Sequence, residues 1–239
     1  MKLSIWTPIA LALALAVTAT AHAGSASGAP PAPGQSVYTY ALELDADGSI
    51  RQLVPHGFEA DAVSRQLDRE IGQWIFRASD AAAAPTRTFL RVVVAPESTS
   101  PQGFEVVSAT TGPAPQRLDQ PVYPLRDQME GNEGTVVLEL EIEVDGSVSD
   151  SEIRGLVGKP SRAMANAALA ASRKWTFTPE LVAGAPVAGT VLWPVCYLGL
   201  RSSVSQCAWT GPDAQRLSSK TVLTIDPAVT LVSPIAFQR

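Results

Sequence analysis

The chain has 239 residues, room for one large domain or two small ones, and carries a net charge of −5 with 46% hydrophobic residues. That balance shows no basic patch, so it argues against a nucleic-acid binder and against docking on an anionic membrane surface. Beyond residue 23 only His56 remains of the two histidines, and no G-x-S-x-G motif occurs, so a nucleophile–base pair lacks its parts. No enzymatic activity, cofactor or metal is expected.

Residues 1–23 read as a signal peptide. Lys2 supplies a positive charge, residues 9–17 form a short apolar run, and Ala21-His22-Ala23 has the small-x-small form cut before Gly24. The alternative is an uncleaved anchor, for which residues 5–21 reach only the lower limit of a membrane span. Residues 24–35 contain Gly, Ser, Ala, Pro and one Gln, and read as a flexible leader.

Residues 36–95 form the first structured unit. Tyr38, Tyr40, Leu42 and Leu44 alternate with polar residues, Asp47-Gly48 marks a turn, and Val63, Leu67, Ile71, Trp74 and Ile75 trace a helical stripe. The sequence DADGSI at 45–50 has the look of a calcium loop, but Val54 stands where the bidentate Glu would be needed. A hairpin is the better reading. Residues 96–120, rich in Pro, Ser, Thr and Gly, read as a linker holding at most a short strand at 104–107.

Residues 121–199 form the second unit. Val136, Leu138, Leu140, Ile142 and Val144 fall on one face of a strand, with Glu139, Glu141 and Glu143 on the other. Asp145-Gly146 then predicts a tight hairpin with positive φ at both residues. Ser161 caps a helix running to about Trp175, along which Met164, Ala168, Leu169 and Ser172 share one side. A last strand spans 189–197, and Pro194 within it suits an edge.

The two Asp-Gly turns lie 98 residues apart and the two W-x-F elements, at Trp74 and Trp175, lie 101 apart. This agreement predicts an internal duplication in which the first unit is a diverged copy. The tail, residues 200–239, has strand composition at 221–225 and 229–233 and either covers the last strand or leaves it open. Cys196 and Cys207, an even pair with no C-x-x-C spacing, predict a disulfide that clamps the tail.

Tyr123-Pro124, the Gly134 before a strand, the Asp145-Gly146 turn, the Ala-rich helix and the W-x-F-x-P run ending at Pro179 follow in a fixed order. That order resembles the C-terminal domain of the TonB family of periplasmic energy transducers. The resemblance implies an α+β fold: two small TonB-C-like units, each an antiparallel sheet of about three strands with one packed helix. It implies no chemistry, but capture of an extended peptide from an outer-membrane partner by strand addition. By the same resemblance residues 190–197 are the edge strand and 125–130 contribute to the contact. The expected partner-binding residues are Tyr123, Pro124, Gln128, Val191, Trp193, Val195 and Tyr197.

A family transducer keeps a membrane helix and a long stiff arm. Here the first helix looks cleavable, and the leader of 12 residues reaches only about 40 Å when extended. The expected product is therefore a periplasmic adaptor or binding protein. A membrane-anchored transducer and an envelope protein that self-associates through its sheet edges are the alternatives.

Overall fold

In a computed structural model, which describes residues 35–78, 85–199 and 223–233, the alternating residues of the first unit form strand β1 (Ser36–Leu44). Tyr38, Tyr40, Leu42 and Leu44 are all buried. Strand β2 (Ile50–Pro55) returns beside it, and helix α1 (Ala62–Ile71) buries Leu67 and Ile71 against the sheet. Ser64 N–H donates to the Asp61 carboxylate at 2.7 Å while Asp61 N–H donates to Ser64 Oγ at 2.8 Å, closing both ends of a helix cap. The Ser64 amide bond holds the Asp61 carboxyl below its ordinary range, and Tyr38, whose hydroxyl donates to Asp61 at 2.8 Å, is pushed up to about 12 mainly by burial. Strands β3 (Phe76–Ala78) and β4 (Thr86–Pro96) follow. Trp74 is buried as the stripe predicts, but Ile75 is 42% exposed because the chain has left the helix at Gly72.

The stretch read as a linker is not one. It carries strand β5 (Phe104–Gly112), paired with β4 from Phe89 to Pro96, and strand β6 (Ala114–Arg117). Local composition is rich in turn formers, but β4 presents a long row of unpaired main-chain groups, and satisfying them outweighs weak strand propensity.

The second unit begins with helix α2 (Leu125–Glu130), then strands β7 (Gly134–Ile142) and β8 (Val148–Gly158). Helix α3 (Arg162–Ser172) starts at Ser161, whose hydroxyl accepts from Met164 N–H at 3.2 Å as predicted. Val136, Leu138, Leu140 and Ile142 are at most 2% exposed, and burial of such side chains stabilises by about 1.5–3 kcal/mol each. Val144 is 49% exposed, not on the buried face, because the β7–β8 ladder stops at Ile142 and Val144 lies in the turn. Strand β9 (Thr176–Thr178), the hairpin β10 (Glu180–Val182) and β11 (Ala185–Val187), and strand β12 (Gly189–Tyr197) complete the unit. Strands β13 (Leu223–Thr224) and β14 (Val229–Leu231) belong to the tail.

The two hairpins share one lock. In each only the glycine has positive φ, Gly48 at 85° and Gly146 at 84°, so these are not turns with two left-handed residues. Gly48 N–H donates to the Asp45 carbonyl at 2.9 Å and Gly146 N–H to the Glu143 carbonyl at 2.8 Å, making a type I turn closed by a left-handed glycine. Phe76 N–H then donates to the Gly48 carbonyl at 2.9 Å, and Phe177 N–H to the Gly146 carbonyl at 2.8 Å. A Cβ on Gly48 would stand 1.8 Å from the Phe76 carbonyl oxygen, and one on Gly146 1.9 Å from that of Phe177.

The units interlock. The β10–β11 hairpin of the second unit joins the first sheet through Leu181 opposite Arg87, giving the order β11-β10-β4-β1-β2, while β6 pairs with β9. The tail ties both together: β13 lies on β12, and β14 on β3. At the crossing Thr88 Oγ1 donates to Glu180 at 2.6 Å and Ala228 N–H donates to its other oxygen at 3.0 Å. Burial holds the Glu180 carboxyl above its ordinary value, against these two donors and the charge of Arg91. Burial also pushes Arg91 down to about 10; its guanidinium donates to the Pro113 carbonyl.

Candidate partner-binding edge

The second sheet runs β13-β12-β7-β8, so among the described residues β12 is an edge strand where β13 does not reach it. Among the described residues β13 covers only Val191 and Leu192. Thr190 N–H donates to the Asp226 carboxylate at 3.0 Å, and its carbonyl accepts from Ile225 N–H at 2.9 Å. The main-chain groups of Thr190 therefore point away from β7. Because strand groups alternate, those of Leu192, Pro194 and Cys196 also point outward, and those of Val191, Trp193, Val195 and Tyr197 point to β7. Pro194 lies opposite Val137 where no ladder bond is needed, and so costs the sheet nothing.

This placement corrects the side-chain roles expected of β12. Val191, Trp193, Val195 and Tyr197 are 0–7% exposed and line the core under α3. The Trp193 ring meets those of Trp175 and Phe177 at 5.5 and 5.8 Å, edge to face. Tyr197 donates its hydroxyl to the Met164 carbonyl at 2.8 Å, and burial pushes its ionisation up. A peptide beside β12 meets main chain, not these side chains. A β-strand read for alternation shows which residues share a face; which face is buried depends on where the helix packs.

Tyr123 and Tyr197 are brought together, ring centroids 5.3 Å apart, and Tyr123 donates to the Asn132 carbonyl at 2.6 Å. Pro124 caps α2 with φ −61°, and Gly131 ends it in the left-handed region. Asn132 binds back to Asp127, its amide nitrogen to the Asp127 carbonyl at 2.9 Å and its side chain to the carboxylate at 3.0 Å. These bonds hold α2 at the Tyr197 end of β12. Gln128 is exposed there. Around it Val122, Leu125 and Met129 are 73%, 69% and 79% exposed, an apolar face that the sequence does not single out. Its signal is present as Leu125 and Met129 one helical turn apart, but nothing local says that such a pair faces water and not the core.

Among the described residues the corresponding edge of the first unit is covered. Its last strand, β4, is paired on the outer side by β5 and by β10, so the chain has already performed strand addition there on itself. Cys207 lies outside the described residues, as do residues 1–34, so the expected disulfide and signal peptide are not placed. Among the described residues no helix is long and apolar enough to cross a membrane.

The family model for the C-terminal region of the Gram-negative bacterial TonB protein matches residues 119–198. The chain belongs to the TonB C-terminal family. The solution NMR structure of the Pseudomonas aeruginosa TonB CTD is 31% identical over 38% of this chain and 90% of that chain, with a TM-score of 0.33. No curated protein matches the chain. The TonB C-terminal domain thus runs from just before Pro121 to the end of β12, and includes α2, the core tryptophans and the hairpin that enters the first sheet.

Proposed function

We propose that this protein is a non-enzymatic periplasmic adaptor whose TonB C-terminal domain holds an extended peptide of an outer-membrane partner by strand addition along β12. The supporting observation is the exposed face of α2, with Leu125, Gln128 and Met129, held beside the Tyr197 end of β12 by the Tyr123 contacts. Pro194 offers a carbonyl and no N–H, so a ladder on this edge has a gap and side-chain contacts with α2 must supply more of the affinity. Residues 1–23 are removed on export, and Cys196 bonds to Cys207.

The test is titration of the labelled protein with extended peptides from the N-terminal segments of outer-membrane receptors, followed by amide chemical shifts. Shifts along 193–198 and 125–130 are expected. Saturating peptide with no perturbation in either segment overturns the reading. Terminal sequencing should find Gly24 first; a retained Met1 in the membrane fraction would favour an anchored transducer.

A further inference from the structure

The other edge of the second sheet, β8, carries charged residues and a bulge but, among the described residues, no proline and no covering strand. Proline sits in β2 as Pro55, in β11 as Pro186 and in β12 as Pro194, and it blunts each of these strands against further pairing. Strand β5 is crossed by the returning tail, with Thr111 donating to the Val229 carbonyl. Strand β8 spans 11 residues with no proline, and among the described residues no strand lies outside it.

The pairing register shows which groups it offers. Leu138 and Leu140 direct their main chain to β12, so Glu139 and Glu141 direct theirs to β8, and their partners Glu152 and Asp150 point inward. Ser151 and Ile153 therefore point outward. The Ser151 N–H is taken by the Asp150 carboxylate at 2.8 Å, whereas the main chain of Ile153 points to the side where, among the described residues, no strand lies. Ile153 is 42% exposed and Leu156 54%. Arg154 is an extra residue in a bulge, 56% exposed, with a loose contact to Glu139 at 3.5 Å.

We infer that β8 is a self-association edge, taking β8 of a second copy of this chain in antiparallel pairing centred on Ile153. Charge selects that register. Centring on Ile153 puts each Glu152 opposite the second copy's Arg154, giving two ion pairs around two main-chain bonds between the isoleucines. Centring on Glu152 opposes two carboxylates, and centring on Ser151 sets Asp150 against Glu152. The bulge ends the ladder after Ile153, so the dimer is small and reversible, of the size of a transient contact. The inference is independent of peptide capture at β12, which uses the opposite edge.

Sedimentation of the full chain, as processed by its host, over a wide concentration range tests it. The weight-average mass should climb from monomer toward dimer. Arg154→Glu and Glu152→Arg should each weaken association by roughly tenfold or more, since each turns two attractive pairs repulsive. An equimolar mixture of the two variants should recover it. One copy then carries a carboxylate at both positions and the other a guanidinium at both, so every facing pair is again of opposite sign. Recovery also shows that both variants are folded. A strict monomer at the highest concentration, unchanged association in either variant, or no recovery on mixing overturns the inference.

Discussion

The two units are built alike and end differently. Each has a glycine-locked hairpin, a capped helix over three strands, and a Trp-x-Phe exit whose Phe amide closes on the hairpin. In the first unit the outer side of the last strand is filled by β5 and β10. In the second, among the described residues, β13 reaches two residues of the corresponding strand. Among the described residues the same edge is therefore covered along its length in one half and at two positions in the other.

The largest difference between the units is expected at the hairpin locks. Gly48→Ala and Gly146→Ala both place a Cβ against a carbonyl at positive φ, and each should cost about 3 kcal/mol or more, read by chemical denaturation. If the first unit is only a platform, the folded fraction of Gly48→Ala keeps its peptide affinity, whereas Gly146→Ala loses it. Next is the knot between the units. Glu180→Ala removes the acceptor for Thr88 and Ala228 and strands the buried Arg91 charge, for an expected loss of about 3 kcal/mol. Calorimetry should then show the units melting separately.

Because the Glu180 carboxyl is held above its ordinary value of 4.5, the folded state takes up its proton more readily than the unfolded one. Its contribution is fully present below that value and is lost as pH rises through the raised one. Relative to wild type, Glu180→Gln should therefore gain stability with pH across that window; a flat difference would exclude the linkage.

Smaller effects separate the units further. Both cysteines lie at or beyond the last strand of the second unit, and a bridge across the ten intervening residues is expected to stabilise by about 2–3 kcal/mol. Reduction should lower the melting of the second unit and add two daltons to the mass. The smallest test is at the paired tryptophans. Trp175 donates from its indole to the Asp119 carbonyl at 2.7 Å, and among the described residues Trp74 has no such acceptor. Trp175→Phe should cost about 1 kcal/mol more than Trp74→Phe.

Much of the local structure is legible in the sequence. Alternation at 38–44 and 136–142 marks the two central strands, and Ser161 marks the start of α3, because side-chain period and capping are local properties. The site is legible in outline only. Tyr123 and Tyr197 do come together, but Trp193 and Val195, expected as contacts, are core, since strand alternation does not say which side a helix will cover. Residues 104–107 show a short strand in the sequence, but its extension to Gly112 does not, because Ser108 to Gly112 have turn-forming composition and are held by pairing with β4. The exposed face of α2, and the edge of β8 that no strand covers among the described residues, escape a sequence reading because exposure depends on neighbours the local pattern does not contain.

The central strands, the α3 cap and the family resemblance follow from short-range patterns of apolar period, glycine and proline. How the units are joined does not. The path of the β10–β11 hairpin and of the returning tail sets which sheet edges are closed, and that path is fixed by contacts between residues far apart in sequence, such as Glu180 with Thr88 and Ala228. No local pattern carries that information, because an edge is defined by what does not pair with it.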